Sequence, residues 1–108
     1  MEKIILSLTL KNKLNALPEK LFYKEYFGFI QSAKEYVNKL INFIYTIPHQ
    51  PRHVAHNPKH GKYYVRYDVK NKRTSYYITF NIYGNRYLIK NIFTSHESGY
   101  ATYIKGMK

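Results

Sequence analysis

At 108 residues the chain has material for one domain, and with 44% apolar residues it can bury a small core. It has no cysteine, which excludes disulfides and thiol chemistry, and no apolar run near the roughly 18 residues of a membrane span. Eighteen Lys and Arg against six Asp and Glu give a formal charge of +12, and the acids are too scattered for two-metal nuclease or glycosidase chemistry.

The start, Met1-Glu2-Lys3-Ile4, has no long apolar stretch before a small-residue cleavage site, so a secretory leader is not expected and the cytoplasm is the expected compartment. Residues 3–10, KIILSLTL, suit a first strand. Helix-forming residues run past Pro18 to about Phe27, and Gly28 ends or bends that helix. Ile30, Ala33, Val37, Leu40, Ile41, Ile44 and Ile47 then recur at helical spacing, with Gln31, Lys34, Glu35, Asn38, Lys39 and Asn42 opposite them. This predicts an amphipathic helix on a sheet, stopped by Pro48. Its polar face is mixed in charge, which argues against a membrane-surface helix.

Residues 48–61, PHQPRHVAHNPKHG, read as a loop, and beyond them the apolar period changes to two. In KYYVRYDVK, Tyr63, Val65, Tyr67 and Val69 share one face, while Tyr64, Arg66, Asp68 and Lys70 share the other. Asn71-Lys72-Arg73 reads as a turn. Tyr76, Ile78, Phe80 and Ile82 form one face of the next strand, and Gly84-Asn85 is a hairpin signal. Residues 86–94 form another strand, and Tyr100 to Ile104 suit a short last one. The expected fold is α+β: a small antiparallel sheet of four or five strands in β-α-α-β-β-β order. Two N-terminal helices cover one sheet face and leave the other for a ligand.

The charge is uneven along the chain. Residues 1–35 hold six basic and four acidic residues, whereas residues 36–108 hold twelve basic residues and two acids, Asp68 and Glu97. Such concentration is the electrostatic footprint of a nucleic-acid binder, and an acidic protein segment covering the same surface is a compatible second partner. Nine of the 13 tyrosines lie at or beyond Tyr63. Tyrosine stacks on bases at a wet sheet face, and it also packs well on any half-buried pleated surface.

His49, His53, His56 and His60 are spaced 4, 3 and 4, which on a helix aligns them for a metal. Pro51 and Pro58 oppose that helix, and no nearby carboxylate orients such a site, so a basic loop beside a polyanion groove is expected instead. No metal or other cofactor is called for. Neither a glycine-rich phosphate loop nor a Gly-x-Ser-x-Gly elbow occurs. An enzyme built from this kit works with cations, histidine and tyrosine. Metal-independent RNA cleavage by the substrate's own 2′-hydroxyl has matching needs: a proton acceptor, cations for the phosphorane and a proton donor. Arg66 and Lys70 on one strand face, Arg73 and Arg86 at turns, and His96 and Tyr100 past the last long strand are the candidates. Lys62 and Lys90 are strand lysines placed to touch phosphate.

The ending LIKNIFTSHESGY, an apolar strand Ile89 to Phe93, then Ser95-His96, then Tyr100 four residues on, resembles the RelE-like ribonuclease branch of the RelE/ParE superfamily of bacterial toxins. HNPKHGKYYVRYDV resembles that branch's histidine-bearing loop followed by Gly and an Arg-carrying strand. The resemblance covers essentially the whole chain through short motifs. It implies the toxin of a type II toxin–antitoxin pair that cleaves mRNA, commonly in the ribosomal A site, and is neutralised by an antitoxin wrapped over its basic face. Position by position, it implies His96 as general acid or base and Tyr100 as the aromatic near the scissile phosphate. Arg66 becomes a phosphate contact, with His56 or His60 contributed by the loop. The acidic residue often found in that loop is replaced by His56-Asn57-Pro58, which leaves the general base open. The ParE branch inhibits DNA gyrase without cleaving, so a non-enzymatic basic module is the alternative.

Overall fold

A computed structural model describes residues 2–23, 30–68, 74–95 and 103–104 of the chain. Strand β1 (Lys3–Leu6) leads directly into helix α1 (Leu8–Tyr23). The expected strand over 3–10 stops early because Ser7 caps the helix: its Oγ accepts from the Leu10 amide at 3.1 Å. Pro18 lies inside α1, where it leaves the carbonyl of Leu14 without its amide donor. Helix α2 (Ile30–Ile44) follows, then a single 3₁₀ turn at Ile47–His49 beginning before Pro48.

The remaining strands are β2 (His53–Val54), β3 (Tyr63–Asp68), β4 (Ser75–Tyr83) and β5 (Arg86–Thr94). They form one five-stranded sheet in the order β1-β5-β4-β3-β2. The pairs β2–β3, β3–β4 and β4–β5 are antiparallel as expected. β1 joins the far side of β5 in parallel, which makes the sheet mixed. The loop read over 48–61 also supplies the two-residue edge strand β2. The hairpin between β4 and β5 turns on Gly84-Asn85, with Gly84 at φ 62°, and the Asn85 carbonyl accepts the Lys3 amide at 2.8 Å.

Helix-side packing follows the sequence periodicity. Leu10, Leu14, Ala33, Val37, Leu40 and Ile44 meet Val65, Tyr76, Ile78, Phe80, Tyr87, Ile89 and Ile92 in one buried core. The Tyr36 hydroxyl donates to that of Tyr76 at 3.1 Å, and Phe43 packs on Tyr67 with ring centroids 4.7 Å apart, which sets α2 over β3 and β4. α1 lies against β5.

One irregularity breaks the alternation. Thr79 pairs with Asn91 and Phe80 with Ile89, so Lys90 is an extra residue in β5. Up to Ile89 the odd positions face the helices; from Ile92 the even ones do. Asn91 and Phe93 thereby reach the opposite face.

β1 covers only the first half of β5. Beyond it, helix α1 occupies the edge: Ser7 Oγ donates to the Lys90 carbonyl at 2.6 Å and Lys13 Nζ to the Ile92 carbonyl at 2.9 Å. These bonds protect a stretch of strand edge that would otherwise pair with another chain.

Candidate nucleic-acid interface

Of the described candidates, the sheet face away from the helices carries Arg66, His60 and Lys90. Cross-strand register aligns Arg66 (β3), Tyr77 (β4) and Phe93 (β5) in one row. The Arg66 guanidinium lies 6.0 Å from the Tyr77 ring centroid, within cation–π range. Its Nε donates to Asp68 Oδ1 at 2.6 Å, between side chains more than half exposed. The Ser75 hydroxyl donates to the same carboxylate oxygen at 2.5 Å. That hydroxyl, and then the guanidinium, hold the Asp68 carboxyl below its ordinary range. Ser75 in turn binds Ser95, whose amide donates to the Ser75 carbonyl at 3.0 Å. A hydrogen-bonded line therefore runs from Arg66 through Asp68 and Ser75 to the residue that precedes His96.

The other end of the row is covered. The histidine-bearing loop folds over β4 and β5 instead of projecting from them. Asn57 caps a 3₁₀ turn at Pro58–His60 by accepting from the Lys59 amide, and the Thr79 hydroxyl donates to the His60 carbonyl at 2.7 Å. Gly61, at φ 138°, closes the turn so near β4 that a Cβ there would sit 2.7 Å from the Phe80 nitrogen. The His60 ring stands edge-on to Tyr103 at 4.5 Å and to Phe93 at 5.6 Å. Tyr103 stacks on Phe93 at 5.8 Å, and its carbonyl accepts the Asn57 amide at 3.0 Å. Tyr103 and Ile104 are helical, not a last strand. Tyr77 and Phe93 are each only 6% exposed. The face expected to stand open therefore has its own small cluster, and its wet part is the rim around it.

His60 lies among cations. Burial lowers the pKa of its imidazole first, and the Lys59, Lys13 and Lys90 charges lower it further. A neutral imidazole at neutral pH is able to accept a proton. Lys13 Nζ, anchored on the Ile92 carbonyl, is 4.6 Å from the Phe93 ring centroid.

The remaining candidates divide. Lys90 joins His60. Lys62 and Arg52 instead lie over the Tyr63 ring, at 5.5 and 5.3 Å, near the β2 edge. Arg86 pairs with Tyr83, six residues along β4 from Tyr77, and is thus about 20 Å from the Arg66 row. His56 is exposed in the loop. His96, Tyr100, Lys70 and Arg73 lie outside the described residues, as do the Gly28 helix break and the Asn71–Arg73 turn.

The chain matches no protein-family model, no curated protein and no solved structure. Among the described residues, no three His, Asp or Glu side chains are grouped to hold a metal ion, and no helix is long and apolar enough to cross a membrane. His53 packs on Tyr64, at 5.3 Å, while His60 packs on Phe93 and Tyr103.

Lys13, Lys59, Tyr77 and Tyr103 join this face without a sequence motif that marks them as site residues, and Phe93 is marked only as a strand residue. Lys59 stands inside the quoted loop and was open to discovery. Lys13 belongs to the nearly charge-balanced first third of the chain and reaches a carbonyl 79 residues away, which no local pattern encodes.

Proposed function

We propose that this protein is an RNA-cleaving toxin of a type II toxin–antitoxin pair, of the RelE-like branch, acting in the cytoplasm on mRNA, free or ribosome-bound. The observation that supports the reading is the row from Arg66 through Tyr77 and Phe93 to His60. It places cations at both ends of an aromatic strip, on the sheet face opposite the helices. A single RNA strand fits such a surface, with backbone phosphates on the cations and a base at the exposed aromatic rim.

The reaction needs no cofactor. The 2′-oxygen forms a bond to the adjacent phosphorus as its proton passes to a base, and the phosphorus–O5′ bond breaks as an acid protonates the leaving oxygen. The products are a 2′,3′-cyclic phosphate and a 5′-hydroxyl. His96 is assigned to proton transfer and Tyr100 to the reacting phosphate, with Arg66 stabilising the phosphorane charge. Lys62, Lys70, Arg73, Arg86, Lys90, His56 and His60 extend the RNA contact. An acidic antitoxin is the protein partner, attracted by the same +12 charge.

The test is incubation of purified protein with programmed ribosomes, and separately with naked mRNA. Cleavage is expected with wild type and a loss of at least about a hundredfold in rate with His96→Ala. Intact message under both conditions removes the proposal.

A non-enzymatic reading, in which a basic module of this fold blocks a nucleic acid or gyrase, draws on the burial of Tyr77 and Phe93, which restricts stacking to the rim. It predicts steeply salt-dependent binding without products, and growth inhibition that survives His96→Ala.

A further inference from the structure

The edge of β5 beside helix α1 brings Lys13 and His60 to one aromatic ring, with the Lys59 and Lys90 charges acting on His60. Lys13 Nζ and the His60 imidazole both flank Phe93, the first 4.6 Å and the second 5.6 Å from its centroid. Neither is free to drift. Lys13 is anchored on the Ile92 carbonyl, and His60 is held through its own carbonyl by Thr79 and through its ring by Tyr103. Lys59 precedes His60 in the capped turn. Lys90 is the bulge residue: its carbonyl is taken by Ser7, and the carbonyl of the next residue, Asn91, accepts from the same Thr79 hydroxyl at 3.3 Å. One threonine thus ties the Lys59–His60 turn to the Lys90 bulge. Bulges commonly re-aim a side chain beside a functional site.

Gathering these cations costs free energy through mutual repulsion: beyond the effect of burial, the Lys59, Lys13 and Lys90 charges each disfavour a proton on His60. Lys59 and Lys90 make no ion pair with any described residue. A ligand carrying negative charge between the four groups would offset the repulsion.

Resting on the nucleic-acid reading above, we propose that Lys13, Lys59, His60 and Lys90 form a discrete phosphate subsite, separate from the Arg66 end of the row. Two strand spacings, about 10 Å, divide the two ends, so a ligand filling both must carry more than one phosphate. The substrate class is a single-stranded oligonucleotide rather than a mononucleotide.

The test is histidine side-chain NMR at matched ionic strength with two probes: inorganic phosphate, and an all-2′-deoxy oligonucleotide, which the proposed reaction cannot cut. Because a bound anion favours the protonated ring, each probe is expected to raise the His60 titration midpoint. The Lys59→Gln/Lys90→Gln variant is expected to bind each at least about tenfold more weakly, with its thermal midpoint no lower than that of the wild type because the repulsion is relieved. Lys13→Gln is expected to weaken phosphate binding too, and the double variant guards against its loss of the Ile92 bond. A His60 midpoint unmoved by saturating oligonucleotide overturns the subsite, as does wild-type affinity in the double variant. If the oligonucleotide fills the subsite while message stays intact both on ribosomes and naked, the subsite stands and the nuclease reading falls.

Discussion

The two faces of the sheet are built by different physics. The helix side is an apolar core in which Leu10, Leu40, Ile44, Val65, Ile78, Phe80 and Ile89 are fully buried. The far side buries Ala55, Tyr77, Phe93 and Ile104 beside two polar residues, Thr79 and Asn91. Its cover is a loop held by a threonine hydroxyl, aromatic edges and a glycine. Burial area drives the first face and is indifferent to small shifts in direction. The second depends on a few directional contacts among groups that remain half wet. Stability belongs to the helix side, and the proposed ligand contacts lie on the side with less to lose by rearranging.

That contrast makes its largest prediction at Phe80. Phe80→Ala removes a fully buried ring that touches Tyr63 and Tyr87 at 5.9 Å. It is expected to cost about 3–5 kcal/mol, a large share of the stability of a small domain. Chemical denaturation measures it. A loss below about 1 kcal/mol would show that the helix-side core is not the main source of stability.

Gly61→Ala should produce a smaller and more local effect. The φ of 138° disfavours any side chain, and the added carbon would meet β4 backbone rather than a flexible side-chain end. A cost of about 1–3 kcal/mol is expected, with faster amide exchange over residues 55–61 and altered His60 and Tyr103 ring signals. Ile78 and Phe80 should remain the best-protected amides. Equal loss of protection on both sheet faces would erase the distinction between them.

Legibility in the sequence follows the same division. The helix-side face was readable because burial there repeats: the α2 stripe and the odd–even pattern of β3 and β4 name nearly every core residue. The break in β5 was not, because the extra residue Lys90 shows no mark in composition, and only the pairing of Thr79 with Asn91 exposes it. The early start of α1 was hidden since KIILSLTL is apolar on both sides of Ser7, and the cap acts through one hydroxyl. On the far face, Arg66 was legible as an outward strand residue, but its pairing with Asp68 two positions on was not the cross-strand partner a pattern suggests. The Lys13–His60–Lys90 grouping joins three distant segments and had no periodic signature to find.

The smallest effect is a titration, and it separates the two acid-sensitive groups of the far face by their pH windows. The His60 pKa is lowered by burial and by the Lys59, Lys13 and Lys90 charges, with Tyr103 packed against its ring. The unfolded chain, with a histidine near the ordinary value of about 6.5, then binds more protons than the folded one between the two values. Stability is therefore flat above about pH 6.5 and falls as pH drops below it, until the folded imidazole also protonates. Asp68 has the same sign in a lower window: its contribution is present above about pH 4 and is lost as pH falls through the depressed folded value. Thermal midpoints of wild type and His60→Gln, measured from pH 7.5 to pH 4.5, are expected to converge at the acid end, with the wild type showing the steeper decline. The Asp68→Asn variant should run below and parallel to the wild type across that range, the gap closing only at lower pH, where the wild type loses the Asp68 contribution. Parallel curves for wild type and His60→Gln would mean that the imidazole gains its proton as easily folded as unfolded. The far face would then hold its cations at no electrostatic cost, and a phosphate would gain nothing special by binding there.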